Sequence, residues 1–232
     1  MPPAIDAIRH DAPGGGERIL LMMLPGYGMA RDDFAQHGFI AALHERGWPV
    51  DVVAARPDVD LYLDGSIAER LHADIVEPAR RRASRLWFLG VSLGALGALL
   101  YAQRHRGEVA GAILLAPFLG TPGLVAEVAA AGGLARWDPG AVRPVDVERQ
   151  LLAWLKAQAP GALALHVGYG RGDRFARAAA LLADILPAGR AIITEGGHDW
   201  QTWGRLWREM LDRDPFALAP RPNPSARRDA RG

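Results

Sequence analysis

The chain has no cysteine, a single lysine (Lys156), and no apolar run approaching the roughly 20 residues needed to span a bilayer. The missing cysteines exclude disulfides, thiolate metal sites and a cysteine nucleophile, and they fit either a reducing or an oxidising compartment. Positive charge is almost entirely arginine, beside abundant alanine and glycine, a pattern that suggests a GC-rich genome rather than selection for phosphate binding. The formal net charge is only +1, so no global field draws in nucleic acid or an anionic membrane. Arg80-Arg81-Arg82 with Arg85 is then expected to be a solvated helix end. The N-terminal Met-Pro-Pro-Ala-Ile-Asp lacks the basic start and apolar stretch of a signal peptide, and a cytoplasmic location is the expectation.

What is present is an alternation of short apolar runs with longer amphipathic ones. That alternation predicts an α/β protein, a mostly parallel sheet with helices on both faces. Six runs are expected as buried strands: 18–24, 50–55, 85–90, 111–118, 163–169 and 190–195. Residues 4–10 are a candidate antiparallel edge strand. Helices are predicted over 31–46, 66–83, 92–106, 145–157, 174–186 and 199–213. The expected organisation is one domain over 1–213, with a small cap at about 119–162 where Gly and Pro break the chain. A tail rich in proline and arginine, 214–232, is expected to be disordered.

The most informative segment is Leu86-Trp87-Phe88-Leu89-Gly90-Val91-Ser92-Leu93-Gly94, continuing into a run of small residues. It reads as a buried strand, a sharp turn and a helix whose near face is small. On such a turn the serine hydroxyl projects above the sheet, and the flanking glycines let strand and helix backbones approach. A G-x-S-x-G pattern arises by chance in a glycine-rich chain; the strand before it and the helix after it give it meaning here.

A serine hydroxyl needs a base to attack at neutral pH, and the base needs an orienting acid. His198, in Glu195-Gly196-Gly197-His198-Asp199-Trp200, lies between the last strand and the last helix, where the chain returns to the edge that carries Ser92. Asp173 lies in a glycine-rich turn after the penultimate strand, in the order Ser, Asp, His. Asp173 also has the position of a helix N-cap, and His198 could serve a bland structural role beside the last helix. Asp146 and Asp199 are the fallback acids. The turn Pro25-Gly26-Tyr27-Gly28 ends the first parallel strand. There the backbone N–H of Tyr27, with Gly28 as second choice, pairs with that of Leu93 as candidate oxyanion donors.

With these motifs in this order, the chain resembles an α/β-hydrolase over about 18–213, and the stretch from Gly196 to Trp203 resembles the carboxyl-terminal end of esterase-like members. The resemblance implies a serine hydrolase that cleaves carboxylic esters of small to medium acyl groups through an acyl-enzyme on Ser92. His198 would be the base and Asp173 its orienting acid. The same fold serves thioesterases, lactonases, amidases, lyases and cofactor-free haloperoxidases, and an inactive binding protein is a further alternative. Phe118, Leu119 and Trp200 are the candidate pocket residues, while the 56–64 loop carries Arg56, Asp58, Asp60 and Tyr62 near the same rim. No metal cluster or nucleotide loop is visible, so no cofactor is expected. A small-molecule ester is the expected partner, with no nucleic acid and no membrane.

Overall fold

A computed structural model describes residues 3–13, 17–80, 83, 85–158 and 163–218. Its sheet has seven strands: β1 (Asp6–His10), β2 (Ile19–Leu24), β3 (Val50–Arg56), β4 (Arg85–Val91), β5 (Val109–Leu115), β6 (Ala164–Gly170) and β7 (Ala191–Thr194). Their spatial order is β1-β3-β2-β4-β5-β6-β7, with β1 antiparallel to β3 and every other pair parallel. The chain therefore leaves β2 toward β3 on one side and returns to place β4 on the other. The crevice above that reversal, at the strands' carboxyl ends, is where an open α/β sheet binds its ligands.

The strands sort their side chains by the two-residue period. Leu20, Met22, Leu24 and Phe88 enter one core, while Ile19, Leu21, Met23, Trp87 and Leu89 enter the other. The first core is covered by α4 (Ile67–Leu71), a π-helical turn (His72–Val76), α6 (Leu93–Arg104), α7 (Pro122–Ala130), α8 (Val147–Ala157) and α9 (Ala176–Ala183). The second is covered by α2 (Phe39–Glu45) and α10 (Trp200–Asp212), with Phe34 of the short α1 (Asp33–Gln36). The remaining helical pieces are α3 (Asp60–Leu63), at the rim, and α5 (Glu77–Ala79), which continues the π-helical turn.

Several expectations need correction. The helix predicted over 31–46 is two pieces, because Gly38 sits at φ +77° between them. The helix predicted over 66–83 contains the π-helical turn and is not one α-helix. Asp146, named above as a fallback acid, stands at the start of α8, and its carboxylate pairs with Arg143. The tail does not begin at 214. Phe216 is fully buried against Trp87 and Trp48, and its carbonyl accepts from Arg85 at 2.7 Å. The rest of the expected tail, 219–232, lies outside the described residues, as do Arg81 and Arg82. Between 119 and 158, where the cap was expected, α7 and α8 join the first core, packing on α9 and α6 respectively.

One charge lies in the middle of this apolar framework. Asp51 on β3 is 1% exposed and accepts from Arg18 Nε at 2.8 Å, the Ala12 N–H at 2.9 Å and Arg9 Nη2 at 3.0 Å. Burial alone would raise its pKa, but the bonds from Arg18 and Ala12 hold it below the usual aspartate range. The network ties the segment before β2 to the sheet.

Candidate active site

The register brings the carboxyl ends of the strands level. Leu24 pairs with Gly90, Val91 with Leu115, Leu115 with Gly168, and Gly170 with Thr194. The loops that follow them carry the turn at 25–28, Ser92, the start of 116–119, Asp173 and His198, respectively or in direct continuation. Ser92, Asp173, His198 and the turn at 25–28 are thus carried to one edge.

Ser92 has φ 53° and ψ −113°, a conformation L-residues avoid, which costs on the order of 1–3 kcal/mol. The surrounding backbone holds it there. The Ser92 N–H donates to Leu115 O at 3.0 Å, and Ser92 O accepts from the N–H groups of Ala95 and Phe118, each at 3.1 Å. Strand and helix meet too closely for a side chain, since a Cβ at position 90 would fall 2.4 Å from Ala95 Cα. The serine is 5% exposed, and its hydroxyl has no hydrogen bond to any described residue.

A second close approach builds the acid–base pair. A Cβ at Gly170 would lie 2.3 Å from Gly196 O, and the Gly172 N–H donates to that same oxygen at 2.9 Å. The turn after β6 is thereby stitched to the loop after β7, and His198 Nδ1 lies 3.0 and 2.9 Å from the two Asp173 oxygens. Asp173's side chain is fully buried and also accepts the Phe175 N–H at 2.8 Å, so the carboxylate is fixed from two directions. With the Nδ1 proton directed at Asp173, the lone pair is on Nε2. That atom is buried and has no hydrogen-bond partner among the described residues. Asp199, a fallback acid, caps α10 instead by accepting from the Thr202 N–H at 2.8 Å.

Leu93 opens α6, so its N–H has no carbonyl four residues back to bond. The Tyr27 N–H likewise has no bond to a described residue. Its loop abuts the serine: a Cβ at Gly26 would lie 3.2 Å from Ser92 Cβ. Gly28 supplies the positive φ of this turn, +76°. Tyr27, Gly28 and Leu93 all line one groove of about 550 Å³, together with Met29 and residues of the 56–62 loop.

The expected pocket residues part company. Phe118 is half-buried and meets Phe175 edge-on with centroids 5.5 Å apart, and Phe175 meets the His198 ring edge-on at 5.2 Å. Leu119 is buried in the first core, against Val125, Val128, Leu152 and Leu182. Trp200 stacks on His37 at 4.4 Å and packs against Phe34 and Phe39. It is Trp203, from the same helix face, whose ring meets His198, at 4.9 Å. Sequence reasoning missed Phe175 and Met29. Phe175 had a signal in its position two residues after Asp173; Met29, whose Sδ lies 3.2 Å from the Gly26 nitrogen, had none.

Among the described residues, His72, His105 and Glu108 have ligand-type atoms within 4.8 Å of one another. The two imidazoles, however, are stacked at 4.4 Å with planes 8° apart. Imidazole binds a metal along an in-plane nitrogen lone pair, and two parallel rings share no such point. His72 Nδ1 is 2.9 Å from the Tyr101 hydroxyl and Glu108 accepts from Arg80 at 2.6 Å, while His105 Nε2 is buried with no hydrogen-bond partner among the described residues.

No family model matches the sequence, and no curated protein matches it. Solved structures do match. Est1E from Butyrivibrio proteoclasticus is 17% identical with a TM-score of 0.62, covering 92% of this chain and 95% of its own. The S-formylglutathione hydrolase FrmB from Staphylococcus aureus is 14% identical with a TM-score of 0.60, covering 91% and 96%. A monoacylglycerol lipase from Paleococcus ferrophilus is 17% identical with a TM-score of 0.54, covering 92% and 98%. The strand order, the single antiparallel edge and these neighbours agree: the chain has the α/β-hydrolase fold.

Proposed function

We propose that the protein is a serine hydrolase of carboxylic esters, with Ser92 as nucleophile, His198 as general base and Asp173 as the residue that orients it. The observation that carries this reading is the buried Asp173 carboxylate against His198 Nδ1, which leaves Nε2 unpartnered at the same sheet edge as a strained serine. Names of similar structures, among them a ferulic acid esterase and a monoacylglycerol lipase, support ester chemistry.

In this reading His198 Nε2 takes the Ser92 proton as the oxygen attacks the ester carbonyl. The oxyanion that forms is held by the N–H groups of Leu93 and Tyr27. Collapse of the intermediate expels the alcohol, which receives the proton from His198, and leaves an acyl-enzyme. Water, deprotonated by the same nitrogen, then releases the acid. No hydrogen bond joins Ser92 to His198 in this structure; a general base acts once its nitrogen comes within hydrogen-bond reach of the serine hydroxyl.

Fluorophosphonate labelling followed by peptide mapping tests the assignment. The expected result is one adduct, on Ser92, that is lost in Ser92→Ala. An adduct elsewhere, or none on folded protein, would overturn it.

A further inference from the structure

The groove that opens from the Tyr27 and Leu93 N–H groups is lined by apolar residues, among them Met29, Pro57 and Val59, and by a set of polar ones that the chemistry at Ser92 does not use. Tyr62 is one of these polar residues. A Cβ at Gly97, one turn into α6, would lie 2.7 Å from the Tyr62 hydroxyl oxygen and 3.1 Å from a ring carbon. The glycine is thus the space into which the phenol fits. Its hydroxyl has no hydrogen bond to any described residue. Burial pushes its pKa up, so it remains a neutral donor and acceptor throughout the working pH range.

Beyond Tyr62 the wall carries charge of both signs. Arg56 Nη1 lies 3.7 Å from Asp58 Oδ1, too far for a hydrogen bond, and the Asp60 carboxylate has no ion pair or hydrogen bond among the described residues. Arg56, Asp58 and Asp60 also line a second groove of about 440 Å³ toward β1, so the polar surface continues past them.

Arg56, Asp58 and Asp60 are exposed, so an alkyl chain laid on this wall would displace part of their hydration, and that of the phenol, and return no hydrogen bonds. A small ion of either sign would face a like charge beside its partner. A neutral group bearing several hydroxyls meets neither objection, because each hydroxyl both donates and accepts. We propose that this groove is the subsite for a polyhydroxylated portion of the substrate, with Tyr62, Arg56 and Asp60 as its recognition residues. The proposal rests on Ser92 being the nucleophile.

Two matched pairs test it and distinguish the side of the ester that enters the groove. Methyl gluconate against methyl hexanoate varies the acyl side, and glyceryl monobutyrate against butyl butyrate varies the alcohol side. The readout is the ratio of kcat/KM within each pair, followed by pH-stat, for wild type, Tyr62→Phe and Asp60→Asn. Thermal melts establish that each variant is folded. The expected result is a preference of tenfold or more for the hydroxylated member of one pair, reduced at least fivefold in one or both variants, chiefly through KM. Ratios near one or below in both pairs would overturn the subsite, as would a preference that both variants retain. Failure to cleave any of the four esters while fluorophosphonate still labels Ser92 also overturns it. Absence of that label points instead to failure of the nucleophile assignment.

Discussion

Gly94 lies directly against the end of β2: a Cβ there would fall 2.0 Å from Leu24 O and 2.7 Å from Pro25 O. The obstructing atoms are backbone in a central strand and in the loop that carries the candidate oxyanion donor, so no side chain can turn aside. Gly94→Ala is expected to destabilise the protein by more than the usual 1–3 kcal/mol or so of overpacking, or to shift the elbow and cut fluorophosphonate labelling at least tenfold. Gly123→Ala is the control. It sits in α7 with open space around its Cβ position and should be neutral or stabilising, by up to about 1 kcal/mol. Thermal melts and labelling rates on both variants check the contrast.

Asp173→Asn tests the orienting role more sharply than removal of the carboxylate does. The amide preserves size and an acceptor for the Phe175 N–H, but it can turn an NH₂ toward His198 Nδ1, which favours the wrong tautomer. kcat on a p-nitrophenyl ester is expected to fall by roughly 10³–10⁴ with the fold retained. A fall of less than tenfold would remove Asp173 from the mechanism.

Much of this was legible in the chain because the physics was local. Met22 and Met23 alternate between two cores, as a buried parallel strand requires, and Gly90 and Gly94 flank Ser92 because backbones meet there. What escaped depended on tertiary packing. Phe216 reads as one apolar residue among prolines and arginines, and only the assembled cleft between Trp48 and Trp87 gives it a partner. Trp200 and Trp203 share a helix face, and tertiary packing alone makes it the Trp203 ring that meets His198. The place of Tyr62 near the rim is legible in the 56–64 loop, but not the space its phenol fills, which a glycine 35 residues later in the chain provides.

The buried Phe216 makes the boundary of the folded unit testable. A chain ending at Arg213 loses this ring and the Arg85 bond to its carbonyl. Phe216→Ala alone is expected to cost about 3–5 kcal/mol, the range for truncating a fully buried phenylalanine. Truncation after Arg213 should match or exceed it. Truncation after Leu218 should cost little. Urea unfolding of the three proteins distinguishes a docked segment from a free tail, for which all three would resemble wild type.

His166 gives the stability a dependence on pH that is separate from the candidate chemistry. It lies on β6, 8% exposed, with Nε2 accepting from Arg190. Burial first, and then the charges of Arg190 and Arg213, lower its pKa from 6.5 to about 4. The unfolded chain therefore binds a proton between pH 6.5 and 4 that the folded chain refuses. Stability contributed by the neutral ring is complete above pH 6.5, declines as pH falls through that window, and is gone below pH 4. The total is on the order of 3 kcal/mol, with a slope of about 1.4 kcal/mol per pH unit in mid-window. His166→Gln keeps an acceptor for Arg190 but cannot be protonated there. Chemical unfolding between pH 4 and 7.5 should show a steeper loss for wild type than for His166→Gln, by up to that slope. Parallel curves would mean that His166 titrates alike in the folded and unfolded chains.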